Sequence, residues 1–457
     1  MEVYKFGGAS LATPAGMQRM AQLVAQYYAP QRALPPLVVV VSAIGKTTNA
    51  LEHALSVAIA KTESGEGTRE HAIAEALEPI EKAHREMATA LKLSAEYVLP
   101  IERLLDHLRL LLTHPPSTDY DTLYDQLISQ GELLSSLLFT GLLCENGLFP
   151  EWVDIRSVLR TYPGHRGAVV DTNLSAPLVQ ARFVGKELYI TQGFIASDPL
   201  GATTTLGREG SDYSAALLGC FLHAERVTIW KDVDGLFNAD PKLFPDAQCI
   251  DTIDYREVIE MSYNGAKVIH EKALKPLQNA NIPLYVRSFV HQEGGEGNTS
   301  GTRICHLEEE THTESLPLIA VLEQQLLLTV APRDLSFALQ DSASRIFELI
   351  RLHHLTVRLV QNSAVRLSLS IDYDPVHFPD LLKVLQEDFL TSYNLDVVLV
   401  SIRHIPTEWR TAWRAFSNYL LLQETRSTSQ YLLLRSVWNA EFAPQLREAM
   451  GERHGRI

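Results

Sequence analysis

The chain has 457 residues, 46% of them hydrophobic and 21% charged, the proportions of a soluble globular protein of two or three domains. Its 55 Asp and Glu against 40 Lys and Arg leave a formal charge of -15, which argues against nucleic acid or an anionic membrane as partner, because such surfaces need a positive field. Cys144, Cys220, Cys249 and Cys305 are scattered without metal-ligand spacing and read as reduced thiols of a cytoplasmic protein.

The first apolar run, "EVYKF", reads as a strand that ends in the glycine turn "GGAS", a break unlike a secretory signal. "TPAGMQRMAQLVAQYY" has helical spacing and a Thr-Pro start, and "LPPLVVVVSA" is a second β-branched run, too short to cross a membrane. This βαβ rhythm predicts a mainly parallel sheet with helices packed on it. From about residue 49 to 143 the pattern is almost wholly helical, as in "PIERLLDHLRLLL" and "YDQLISQGELLSSLLFTGLL". Strand patterns return at "KELYITQGFIA", "RVTIWKDV" and "IPLYVRSF", each ending in polar or glycine residues where an α/β sheet presents its ligands.

Gly, Glu, Ser and Thr dominate residues 291 to 315, and a domain boundary is expected there, with "GTRIC" a last strand of the first domain. Beyond it "LLLTVA", "FALQDSASRIFELIRLHH", "LTVRLVQ", "AVRLSLSID", "FPDLLKVLQEDF" and "LDVVLVSI" spell βαββαβ. A second, less regular copy follows from "EWRTAWRAFSNYL" to "FAPQLREAMG".

Two glycine-rich stretches bear on anion binding. "VSAIGKTTN" mimics the tail of a P-loop, but the required earlier glycine is Val40, so that motif is incomplete. "TTTLGREGSDYSAALLG" is denser: backbone donors and a helix start combine with Arg208, Ser211 and Asp212, more than an N-cap needs. "IWKDVDGLFNADPK" then ends a strand in Lys231-Asp232, and "YNGAKVIHEKAL" adds Lys267 beside a glycine.

Taken in order with "KFGGAS", "SAIGKTTN", "SQGELLSS", "TQGFIA" and "GAKVIH", these segments resemble the aspartate kinase family of the amino-acid kinase superfamily. The resemblance implies an α/β fold: a three-layer αβα kinase domain over residues 1–307 with a mainly parallel sheet. Two ferredoxin-like ACT domains would follow over 316–404 and 405–457, with 316–325 available as a strand of the second. It also implies transfer of the ATP γ-phosphoryl group to the β-carboxylate of L-aspartate, with Mg2+ held mainly by phosphate oxygens and no metal ligand named. Lys5, Gly7, Gly8 and Asp212 would be catalytic; Ser42, Thr48, Glu132, Arg208 and Ser211 would bind aspartate; Lys231, Asp232, Phe237, Lys242 and Lys267 would bind ATP. Relatives often carry Thr, Tyr and Arg where this chain has Lys231, Phe237 and Lys242, and glycine where it has Glu209.

At the effector position of the first ACT unit, Arg358 replaces an acidic residue and Ala364 a glutamate, leaving Asn362 and Ser363 polar. Weak or absent lysine inhibition is therefore expected. The resemblance further implies a homodimer or higher homo-oligomer through the ACT domains. With no dinucleotide-binding extension before Ile457, no fused homoserine dehydrogenase is expected. A different amino-acid kinase or a non-catalytic amino-acid-sensing scaffold are the alternatives; retention of Lys5, Glu132, Arg208 and Asp212 argues against the scaffold.

Overall fold

A computed structural model describes residues 1–28, 35–60, 66–266, 269–290, 301–307, 316–333 and 339–454. The chain forms two compact units: Met1–Leu236 with Asp251–Tyr255 and Ile269–Leu307, and Phe237–Ile250 with Arg256–Val268 and Glu308–Ile457. A single cut near residue 310 does not separate them. Phe237–Ile250 joins the second unit because Asn238 donates its side-chain amide to Pro317 O and its carbonyl accepts from Ile319 N.

In the first unit β1 (Glu2–Phe6) and β2 (Leu37–Val41) are buried at every position, as expected of parallel strands covered on both faces. Between them α1 (Pro14–Tyr27) starts where the Thr13 side chain accepts from Gly16 N, with proline in the first turn. The helical run resolves into α2 (Thr47–Ala60), α3 (Glu66–Ala90), α4 (Ala95–Thr113) and α5 (Tyr120–Glu145). α5 has the length and apolarity of a membrane span, yet it is mostly buried inside this unit.

The remaining elements are β3 (Glu151–Val153), α6 (Thr172–Arg182), β4 (Leu188–Gln192), the hairpin β5 (Ile195–Ser197) and β6 (Thr203–Thr205), α7 (Gly210–Phe221), β7 (Arg226–Lys231) and β8 (Thr252–Asp254). After α8 (Tyr255–Tyr263) come α9 (Glu271–Ala280), β9 (Leu284–Ser288) and β10 (Thr302–Cys305). The eight strands run β3-β4-β2-β1-β7-β9-β10-β8, parallel except for the antiparallel β9–β10 pair.

Tyr4, Phe6, Val39, Val41 and Ile190 face the core shared with α1, α2 and α5. On the other side α7 lies so close to β7 that a Cβ on Gly219 would stand 2.5 Å from Val227 Cγ2. The single run "YITQGFIA" is broken at Gly193-Phe194, where β4 gives way to β5.

The second unit is built on one antiparallel sheet, β12-β13-β11-β14-β16-β15, from β11 (Leu318–Pro332), β12 (Val357–Asn362), β13 (Leu367–Asp372), β14 (Phe389–Arg403), β15 (Leu421–Glu424) and β16 (Thr428–Leu434). α10 (Leu339–Leu352) and α11 (Phe378–Asp388) cover one half through Leu326, Leu328, Ile350, Leu369, Leu381 and Leu385. Trp409 of α12 (Thr407–Ala412), with Trp438, Phe442 and Leu446, covers the other. The short α13 (Arg435–Val437) precedes a π turn that leads into α14 (Ala443–His454).

Both long strands serve the two halves of this sheet. Gln325–Val330 of β11 pairs with β13 and Gln325–Pro332 with Phe389–Val397, whereas Leu318–Leu322 pairs with Leu399–Arg403, which in turn pairs with β16. The strand β14 begins at Phe389, earlier than the apolar run "LDVVLVSI", because the ladder with β11 continues through its polar residues.

The contact between Gly219 and Val227 gives a test of the layer packing. Gly219→Ala should lower stability by about 1–3 kcal/mol by overpacking, and denaturant titration should find a smaller loss in a Val227→Ala background.

Candidate active site

The residues after β1 turn tightly. Ser10 donates its hydroxyl to Gly7 O at 2.7 Å, and Gly45 N donates to Gly8 O at 2.9 Å, tying the turn to the one that follows β2. A Cβ on Gly8 would lie 2.6 Å from Ala43 O, so only glycine permits this approach. Gly7 differs: a Cβ there would meet only Lys5 Nζ at 3.6 Å and Trp230 O at 4.0 Å, an open cradle beside an ammonium. The P-loop mimic "IGK" is thus a brace for Gly8, with Lys46 exposed.

Lys5 and Asp212, both named as catalytic by the resemblance, meet in the fold. Lys5 Nζ is 2.6 Å from Asp212 Oδ1, with Asp212 fully buried and Lys5 nearly so. Lys231, at the end of β7, adds a second ammonium 3.5 Å from Asp212 Oδ2. Burial alone would push the Asp212 carboxyl up, but the Lys5 and Lys231 charges outweigh it and hold the carboxyl below its usual range. Asp212 lies in the first turn of α7, where the helix dipole also favours an anion.

Glu132 sits on α5 beside Gly131, whose Cβ would stand 3.1 Å from Ala43 Cβ, so the helix approaches the β2 turn closely. Ala43 N donates to Glu132 Oε1 at 3.3 Å, while Oε2 is buried with no hydrogen-bond partner among the described residues. Burial pushes the Glu132 carboxyl up to about 8, against the opposing pull of the Ala43 and Glu132 amides and of Lys5. Such an orphaned acid is suited to a cationic ligand group.

Ser42 and Thr48 are half-buried, Ser42 directly after β2 and Thr48 in the first turn of α2. Ser211 is buried at the start of α7, its backbone so close to Gly193 that a Cβ there would stand 2.7 Å from Ser211 Cα. Arg208 is exposed in the turn before α7. Glu209 follows it in the left-handed region with φ +54°, which accounts for the glycine expected there; its side chain is exposed and caps nothing. Phe194 also has positive φ, +70°, and is held where its N–H donates to Ser214 Oγ at 2.9 Å.

Asp232 is exposed beside Lys231. Phe237 and Lys242 fall in the second unit: Phe237 bridges to Cys249, and exposed Lys242 donates its N–H to Asp240 Oδ1 at 2.9 Å. Lys267 lies outside the described residues. Among those residues no group of three or more His, Cys, Asp or Glu is arranged to hold a metal ion.

Of the effector-site candidates, Arg358 grips Asp372 through Nε at 2.9 Å and Nη2 at 2.6 Å, and Nη1 donates to Tyr263 O at 3.0 Å. Ser363 closes the β12–β13 turn on Arg366, and Asn362 and Ala364 are exposed. The sequence reading missed Asp125, buried on α5 among His165, Arg166 and Thr205. An acidic residue seven positions before Glu132 in an amphipathic run gives no sign of such partners.

The amino acid kinase family matches residues 1–288. Lysine-sensitive aspartokinase 3 of Escherichia coli is 35% identical over 385 residues, covering 81% of this chain and 78% of the relative. The crystal structure of E. coli aspartokinase III with aspartate and ADP superposes with a TM-score of 0.77 at 29% identity, covering 98% of this chain and 99% of that one. Its complex with lysine and aspartate gives 0.78 at 28%, covering 99% of both. The chain spans only 32% of a maize bifunctional aspartokinase/homoserine dehydrogenase and 47% of the Haemophilus influenzae one. With its paired glycine turns and the buried Lys5–Asp212 pair, this chain belongs to the amino acid kinase family and, within it, to the aspartokinases.

Proposed function

We propose that the chain is an ATP-dependent aspartate kinase, transferring the γ-phosphoryl group to the β-carboxylate of L-aspartate to give 4-phospho-L-aspartate, the entry to lysine, threonine, methionine and diaminopimelate synthesis. The observation that carries this is the buried Asp212 between Lys5 and Lys231, beside the open turn at Gly7.

A carboxylate nucleophile is ionised at neutral pH, so no strong base is needed. The work is to bring two anions into line and screen their repulsion. Lys5 would neutralise charge on the transferring group while the amides of Gly7 and Gly8 donate to its oxygens. Asp212 fixes the Lys5 ammonium, and Lys231 brings a second ammonium to the same carboxylate. Arg208 would clamp the substrate α-carboxylate with its planar fork, and the unpartnered Glu132 Oε2 would receive the α-ammonium, with Ser42, Thr48 and Ser211 adding polar contacts. Asp232, Phe237, Lys242 and Lys267 are assigned to the nucleotide on the resemblance alone. Mg2+ would travel with the phosphates and screen their charge, its ligands being phosphate oxygens and water.

The exposed outer edge of β12, with Val360 at the surface, supports assembly with a second copy. Four cysteines that form no disulfide among the described residues fit a cytoplasmic location.

With MgATP and aspartate, hydroxylamine should trap an acyl phosphate; absence of aspartate-dependent hydroxamate from folded protein would sink the proposal. Lys5→Met should lower kcat by about 10²–10³ without unfolding the protein. Because Glu132 must be ionised to pair an ammonium, kcat/KM for aspartate should fall roughly tenfold per pH unit below 8. Glu132→Gln should flatten that limb at a low plateau; an unchanged limb refutes the assignment. With Arg358 committed to Asp372, lysine should inhibit only weakly, and micromolar inhibition abolished by changing Asn362 or Ser363 is the contrary result.

A further inference from the structure

We infer that Asp125 and His165 are positioning residues that set the geometry of the amino-acid site, an inference that rests on the proposed roles of Glu132 and Arg208. Asp125 is fully buried, and its two oxygens face donors from three directions. Thr205 Oγ1 donates at 2.6 Å, His165 Nδ1 at 2.9 Å, and Arg166 N lies 3.2 Å from both oxygens. An acceptor-only carboxylate satisfies this set, whereas an amide would turn its own N–H groups toward donors.

These partners stand on the elements that carry the proposed substrate clamps. Asp125 and Glu132 share α5, two turns apart, at about 10 Å along the axis. Thr205 ends β6, three residues before Arg208, and its carbonyl accepts from Gly167 N and Ala168 N, both at 2.9 Å. His165 also contacts Thr122 Oγ1 at 3.2 Å through its other ring nitrogen. The Arg166 guanidinium lies 4.6 Å from the Tyr124 ring and 5.4 Å from that of Tyr120, and pairs with Asp121 at 3.2 Å.

The 165–168 loop is therefore pinned to the start of α5 and to the end of β6 together. Its effect is to fix the span between an α-ammonium pocket on one element and an α-carboxylate clamp on the other. Neither Asp125 nor His165 is assigned a contact with the substrate; both act through the placement of Arg208 relative to Glu132.

The test is a KM-against-kcat split. His165→Ala and Asp125→Asn should raise KM for aspartate about tenfold, while KM for ATP and kcat stay within about twofold of wild type. His165→Asn, which places an amide N–H near the Nδ1 position, should recover most of the affinity. Unchanged KM for aspartate in His165→Ala, or parallel loss of kcat, ATP affinity and melting temperature in both variants, would overturn the inference while leaving the kinase assignment intact. Wild-type protein without aspartate-dependent hydroxamate would overturn both.

Discussion

A carboxylate without access to water, held between two ammoniums, is the constraint on which the site depends. Burying one charge unpaired costs several kcal/mol, so Asp212 can occupy the interior only because Lys5 and Lys231 reach it. The sheet makes that possible: β1 and β7 are neighbouring parallel strands with Lys5 opposite Ile229. Lys5 thus points up from inside β1, while Lys231 stands at the end of the adjacent strand. The first turn of α7 then lowers Asp212 onto both.

Close backbone approach is the second requirement, and the glycines divide by what they permit. Gly8 and Gly193 let the strand-end turns touch Ala43 and Ser211 at distances no side chain allows, so their task is to assemble the floor of the site. Gly7 is not crowded by the fold. Its missing side chain leaves space beside the Lys5 ammonium, as expected of a position shaped for a ligand rather than for packing.

Much of this was legible in the sequence because it is local. The buried runs of β1 and β2, the helical stretch and the glycine turns each leave a signature within a few residues, and the ordered motifs single out Lys5, Glu132, Arg208 and Asp212 as candidates. What was not legible is pairing across distance. Asp125 meets His165 40 residues away and Thr205 80 residues away, and neither of those segments carries a mark of the pairing. Lys231 read as a nucleotide contact, and nothing in "WKDVDG" announces a partner on α7. In the second unit the strands seem interchangeable by pattern; only the register reveals that β11 and β14 each serve two halves of one sheet.

The positions of backbone strain sharpen the division of labour. Ten non-glycine residues among those described have positive φ. Lys92, His223, Asn281 and His354 follow helices, where left-handed caps are common. Gln324 and Asp396 mark the register shift of β11 on β14, and His404 follows β14. The remaining three, Arg166, Phe194 and Glu209, all flank the Arg208 turn or the loop that pins it. Each costs on the order of 1 kcal/mol and persists only where neighbouring contacts over-determine the backbone. On the proposed assignment, the phosphate side needs no such strain, because a glycine turn and two ammoniums can follow a group in motion. The proposed amino-acid side would hold a small zwitterion at two fixed points, and a turn stiffened from several directions does this better than a relaxed one.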